Sequence, residues 1–171
     1  MRNINRKFFV LFLKIIKIFN YIMLSNITYT DIKKRFKNRY PLLMIDVIEE
    51  CEPGKWAKGY KNFTNNEWFF PAHFADNPNV PGSIMLEAML DIFCMTILML
   101  PECEGKETAD VKINNLTFKR RIIPGERLDL QTDVNSFRRG VAIGIAKGYV
   151  NGTEACSAEI TICVPDLMIR M

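Results

Sequence analysis

The chain has 171 residues, 49% of them apolar and 25% charged, with a formal net charge of +4. This is the length and composition of a single globular domain with a substantial core. The mild basic excess suits an acidic partner and is too small to imply nucleic acid.

The five cysteines contain no CxxC pair and stand beside one histidine, so no metal site is expected. Buried thiols in a reducing compartment, by default the cytoplasm, are the straightforward reading.

Residues 1–24, "MRNINRKFFVLFLKIIKIFNYIML", differ from the rest. The basic start and the apolar run from Phe8 to Leu13 imitate a signal peptide. Lys14 and Lys17 interrupt the run, however, and no small-residue cleavage site follows. The uncharged stretch is too short for a membrane span. Two readings stand: an in-frame extension upstream of a natural start at Met23, which is preferred, or a basic amphipathic helix lying on an anionic membrane surface.

Residues 25–171 read as one domain. In "SNITYTDIKKRF", Thr28 or Thr30 caps a short amphipathic helix. "YPLLMIDVIEECEPG" reads as a strand ended by the Pro53-Gly54 turn, and "KWAKGYKNFT" returns as its hairpin partner. The aromatic, turn-rich segment that follows contains Pro71, Pro78 and Pro81 and cannot be one regular element.

Ser83 to Leu100 is a long apolar run whose only charges are Glu87 and Asp91, which predicts a buried helix closed by Pro101. Beyond it lie strand-like segments punctuated by Pro124-Gly125, Gly140 and Asn151-Gly152, an antiparallel meander. Hairpin, buried helix and meander predict an α+β fold in which an antiparallel sheet wraps a long central helix.

The chemistry concentrates in "HFADNPNVPGSIMLEAM". His73 alone is readily a structural hydrogen-bonder, but an ionised Glu87 on a buried helix needs a partner or a raised pKa. Gly82, at the helix start after Pro81, offers unpaired amides and the positive end of the helix dipole. Together they suit proton abstraction beside a carbonyl: His73 as base, Gly82 polarising the carbonyl, Glu87 as acid expelling a β-substituent.

On "HFADNPNVPGSIMLEAM", "NRYPLLMIDVIEECEPGKWAKGYKNFTNNEWFFPAHF" and "FKRRIIPGERLDL", the sequence resembles the FabZ-type β-hydroxyacyl-acyl carrier protein dehydratases of the hotdog fold. The resemblance runs from about Thr28 to the C-terminus. It implies dehydration of (3R)-3-hydroxyacyl thioesters to trans-2-enoyl thioesters. No metal or redox cofactor is implied, since the substrate rides on the phosphopantetheine arm of acyl carrier protein. The resemblance also implies a homodimer at least, with a trimer of dimers as a larger form, and a site to which one subunit gives His73 and the other Glu87.

Phe69, Phe70, Phe74, Met85, Met89 and Phe93 would then border an acyl tunnel, or else simply pack the core. Lys119, Arg120, Arg121, Arg138 and Arg139 would receive the acidic carrier, or else form solvated strand faces. The chain departs from the family pattern at Ala75-Asp76, where Pro-Gly is usual, at Asp91, where Gln is common, and at Asn38, where His is common. Asp76 and Asp91 are expected to alter the field or loop shape around His73. Two other activities fit the scaffold: an acyl thioesterase using Glu87 or Asp91, and a non-catalytic acyl or carrier-protein binding module.

Overall fold

The structure is a computed structural model that describes residues 23–168. The basic-apolar leader, apart from Met23 and Leu24, lies outside the described residues. Among the described residues no helix is long and apolar enough to cross a membrane.

The chain begins with a strand, β1 (Leu24–Thr28), and then turns into helix α1 (Tyr29–Arg35). Helix α1 starts at Thr28 as expected, but the Thr28 hydroxyl donates to Asp31 Oδ2 at 2.7 Å instead of capping the backbone. Strand β1 has no counterpart in the sequence reading. It has five residues, Asn26 sits at φ 54, and only Ile27 is buried, so no usable alternation marks it. Its pairing with β2 (Val47–Glu52), Leu24 against Cys51 and Thr28 against Val47, is what makes it a strand.

Strand β2 turns through Pro53-Gly54 into β3 (Trp56–Asn62), with Gly54 at φ 72 as such a turn requires. The long loop 63–81 leads to helix α2 (Gly82–Leu98). The helix stops two residues short of the expected Leu100, because Pro101 holds Leu100 in an extended conformation (φ −70, ψ 135). Strands β4 (Ala109–Phe118), β5 (Arg127–Arg138), β6 (Val141–Val150) and β7 (Thr153–Cys163) follow. The two tight hairpins place Arg139-Gly140 and Asn151-Gly152 at positive φ, the conformation that two-residue loops between twisted strands demand.

All strand pairings are antiparallel in a single sheet of order β1-β2-β3-β5-β6-β7-β4. The sheet curls around α2, whose residues from Ala88 to Leu98 are all buried. Close approach of helix and sheet explains Gly144: a Cβ there would lie 2.6 Å from the Phe93 ring and 2.2 Å from the Asp133 carbonyl. A buried hydroxyl pair, Thr96 and Thr132, is satisfied at 2.9 Å, with Thr96 also donating to Ile92 O. The five cysteines are free and buried. This is the α+β, helix-in-sheet architecture expected of a hotdog fold.

Candidate active site

The 63–81 loop is irregular for the reason its prolines give, yet its backbone is well tied. The His73 amide donates to Phe69 O at 2.9 Å, Asn77 N to Phe74 O at 2.9 Å, Asn79 N to His73 O at 2.9 Å, and Val80 N to Ile122 O at 2.8 Å. These bonds hold a half-buried His73 beside the start of α2. Its Nδ1 lies 3.1 Å from the Asn79 carbonyl oxygen. A carbonyl can only accept, so Nδ1 carries a proton, and in the neutral ring the lone pair is on Nε2. The imidazole is therefore in the tautomer a general base needs. The ring stacks on Phe74, centroids 4.4 Å apart, across a cis peptide bond.

His73 and Gly82 line one cavity of about 350 Å³ with Asn79, Val80, Met85, Phe118 and the basic run Lys119, Arg120, Arg121. The Gly82 and Ser83 amides precede the first helical hydrogen bonds, which Ile84 and Met85 donate to Pro81 O at 3.0 and 3.1 Å, and the helix dipole adds positive potential there. A Cβ at Gly82 would sit 2.8 Å from the Phe118 ring, so any larger residue there displaces that ring.

Glu87 does not line this cavity. At 3.6 residues per turn it projects about 140° round the helix from Gly82 and about 160° from Met85. It faces instead toward Asp110, at the Ala109 end of β4, whereas the cavity is at Phe118, the other end of that strand. Burial chiefly, and then the negative charge of Asp110, raises the Glu87 pKa above the usual carboxylate value. Such a carboxyl retains its proton more readily and can act as an acid. Within one chain, then, His73 borders the cavity on one side of α2 and Glu87 projects from another.

The remaining expected residues divide. Phe69, Phe70, Met89 and Phe93 are core residues, at most 2% exposed, and Phe74 is 59% exposed, so of the six tunnel candidates only Met85 lines the cavity. The five basic residues do not form one patch in the chain. Lys119, Arg120 and Arg121 follow the Phe118 end of β4, beside Cys156 of β7, whereas Arg138 and Arg139 turn into β6 beside Cys163, at the opposite end of β7. Lys119 pairs with Glu154 at 2.6 Å and Arg120 with Glu126 at 2.5 Å, whereas Arg121 donates to neutral oxygens of Asn77.

Asp76 and Asp91 also separate. Ala75 and Asp76 are exposed on the loop. Asp91 is buried one helical turn from Glu87, accepting from the Met44 amide at 2.5 Å and from the Asn38 side chain. Two departures from the family pattern, Asn38 and Asp91, are thus in contact. No sequence pattern marks Asn79, whose contribution is its backbone carbonyl.

Residues 36–159 match the model of a family described as a FabA-like domain. The chain is 37% identical over 134 residues to the 3-hydroxyacyl-[acyl-carrier-protein] dehydratase FabZ of Clostridium novyi, covering 78% of this chain and 94% of that protein. It is likewise 37% identical over 137 residues to the FabZ of Exiguobacterium sibiricum, covering 80% and 98%. Among solved structures, the dehydratase heterocomplex ApeI:P from Xenorhabdus doucetiae aligns with a TM-score of 0.68 at 10% identity, covering 78% of this chain and 90% of that one, a likeness of fold. With the model match and these relatives spanning most of its length, the chain belongs to the FabA-like family, as a FabZ-type member on the hotdog fold.

Proposed function

We propose that the protein is a (3R)-3-hydroxyacyl-[acyl-carrier-protein] dehydratase, acting in the cytoplasm in fatty-acid or related acyl-chain synthesis. The observation that carries this reading is the cavity shared by His73, in its Nδ1-protonated tautomer, and the Gly82 helix start. His73 Nε2 takes the C2 proton while the Gly82 amide holds the thioester oxygen as it gains negative charge. The C2 electron pair forms the double bond to C3, the C3–O bond breaks, and Glu87 protonates the departing hydroxyl. One water leaves, and exchange with solvent returns both side chains to their starting states.

The phase of Glu87 on α2 calls for an acid from a second copy. Strand β4 is the free edge of the sheet beside α2, with Val111 58%, Leu116 37% and Phe118 46% exposed. Pairing two such edges antiparallel about a two-fold axis would bring the Phe118 end of one copy to the Asp110 end of the other. His73 of one protomer would then approach Glu87 of its partner. The basic run Lys119–Arg121 at the cavity suits the acidic carrier and the phosphate of its arm.

The test is conversion of a 3-hydroxyacyl thioester to the enoyl thioester, or hydration of a crotonyl thioester. His73→Ala and Glu87→Ala should each lose about two to four decades of rate. Release of free thiol without enoyl product would replace this reading with a thioesterase. Carrier binding without turnover would replace it with a binding module.

A further inference from the structure

His73 is oriented by a chain of contacts that ends on a charged residue. Its Nδ1–H donates to the Asn79 carbonyl at 3.1 Å. The Asn79 side-chain amide donates to the Asn77 carbonyl at 3.3 Å. Arg121 Nη2 donates to Asn77 Oδ1 at 2.5 Å and reaches the Asn77 carbonyl at 3.4 Å. Arg121 is thus the far end of a relay that closes the Phe74–Asn79 loop over the histidine.

The relay bridges elements remote in sequence, since Asn77 and Arg121 are separated by 44 positions. The neighbouring backbone bond, Val80 N to Ile122 O at 2.8 Å, ties the same two segments and fixes where Arg121 emerges. The other two basic residues of the run pair with Glu154 and Glu126, but the Arg121 guanidinium bonds the amide of this loop. A guanidinium presents its donors in a rigid planar fork, so it can define a loop position that a flexible ammonium cannot.

We propose that Arg121 is a positioning residue for His73, acting through Asn77 and Asn79 to hold the imidazole in its Nδ1-protonated tautomer, a role separate from any docking of the carrier. Loss of either end of the Arg121–Asn77 contact loosens the Asn77–Asn79 turn, although the backbone bonds of the loop persist. The Asn79 carbonyl then ceases to select one tautomer, and the fraction of histidine with a free Nε2 lone pair falls. The role rests on the dehydratase reading only for its effect on rate; the tautomer itself is independent of it.

Two measurements decide the matter. The first uses a crotonyl thioester of a short thiol, which has no carrier protein and no phosphate for a basic patch to grip. Arg121→Ala and Asn77→Ala are each expected to lower kcat on this substrate by about tenfold, and the double variant to be no worse than either single one, as for two members of one contact. Arg121→Lys should recover only part of the loss.

The second measurement exploits the presence of one histidine in the chain. Nitrogen-15 NMR of the imidazole should report a dominant Nδ1–H tautomer in the wild type and a mixture in both alanine variants. Both side chains are exposed, so the variants are expected to fold; should one fail, the other carries the test. Full activity of Arg121→Ala on the carrier-free substrate, additive losses, or an unchanged tautomer would each overturn the proposal. Absence of turnover by the wild type would overturn the dehydratase reading, and the NMR signal would still decide the role of Arg121.

Discussion

Asp91 Oδ2 accepts a hydrogen bond from the Met44 backbone amide at 2.5 Å, inside a core where the Asp91 side chain is 1% exposed. Burial is the main influence on this carboxyl and pushes its pKa well above the ordinary 3.8. The Met44 hydrogen bond opposes the rise, the charges of Glu87 and Asp110 add to it, and the Asn38 hydrogen bond opposes it again. A group with this shift binds its proton more tightly in the folded than in the unfolded chain. The penalty it imposes is absent below the unfolded pKa, grows as pH rises, and is complete above the folded pKa. Asp91→Asn, which keeps an acceptor for the Met44 amide, should therefore gain stability relative to the wild type as pH rises from about 4 toward neutrality and beyond. Urea unfolding at a series of pH values checks this; a constant difference across the series would mean that Asp91 is not held neutral.

The projection of Glu87 away from the cavity that His73 lines leads to a complementation experiment. Inactive His73→Ala and Glu87→Ala proteins, mixed and allowed to exchange subunits, should regain about a quarter of wild-type activity. Half of the dimers would be mixed, and each mixed dimer would contain one intact site and one doubly defective site. A mixture as inactive as its components would place base and acid in the same protomer.

Glu87 should set the alkaline limb of the kcat/KM profile, because it must be protonated to expel the hydroxyl. Burial raises its pKa most, followed by the charge of Asp110. Asp110→Asn removes the second influence, so the limb should move to lower pH while the plateau is retained. An unmoved limb would show that a different group donates the proton.

Gly82→Ala would bring a methyl group within 2.8 Å of the Phe118 ring. Phe118 is 46% exposed and can swing aside, so thermal stability should change little. The displaced ring would enter the cavity at the carbonyl-binding position, and kcat/KM should fall by on the order of a hundredfold. Equal activity in the variant would show that the displaced ring leaves the carbonyl-binding position open.

Much of this protein is decided locally and is therefore legible along the chain. The apolar run after Pro81 has nowhere to go but a core, and a helix is the form that satisfies its backbone there. Asn151-Gly152 and Pro53-Gly54 specify turns through backbone preferences that hold in any context. The chemical types at His73, Gly82 and Glu87, and the family motif they belong to, likewise need no neighbours to be read.

What depends on long-range packing is decided only in three dimensions. Strand β1 exists because β2 offers it an edge, and the expected basic patch divides because a strand of β7's length separates its two parts. Four of the six candidate tunnel residues are core because the sheet closes over them. The protonated nitrogen of His73 is chosen by a carbonyl six residues away, and the loop carrying it is held by Arg121 from across the fold. Residue types supply an acid and a base, but the angle around α2 between Glu87 and the Gly82–Met85 face that borders the His73 cavity keeps the acid out of that cavity within one chain. That angle follows from the helical period, and its consequence appears only once the cavity has been located on one face.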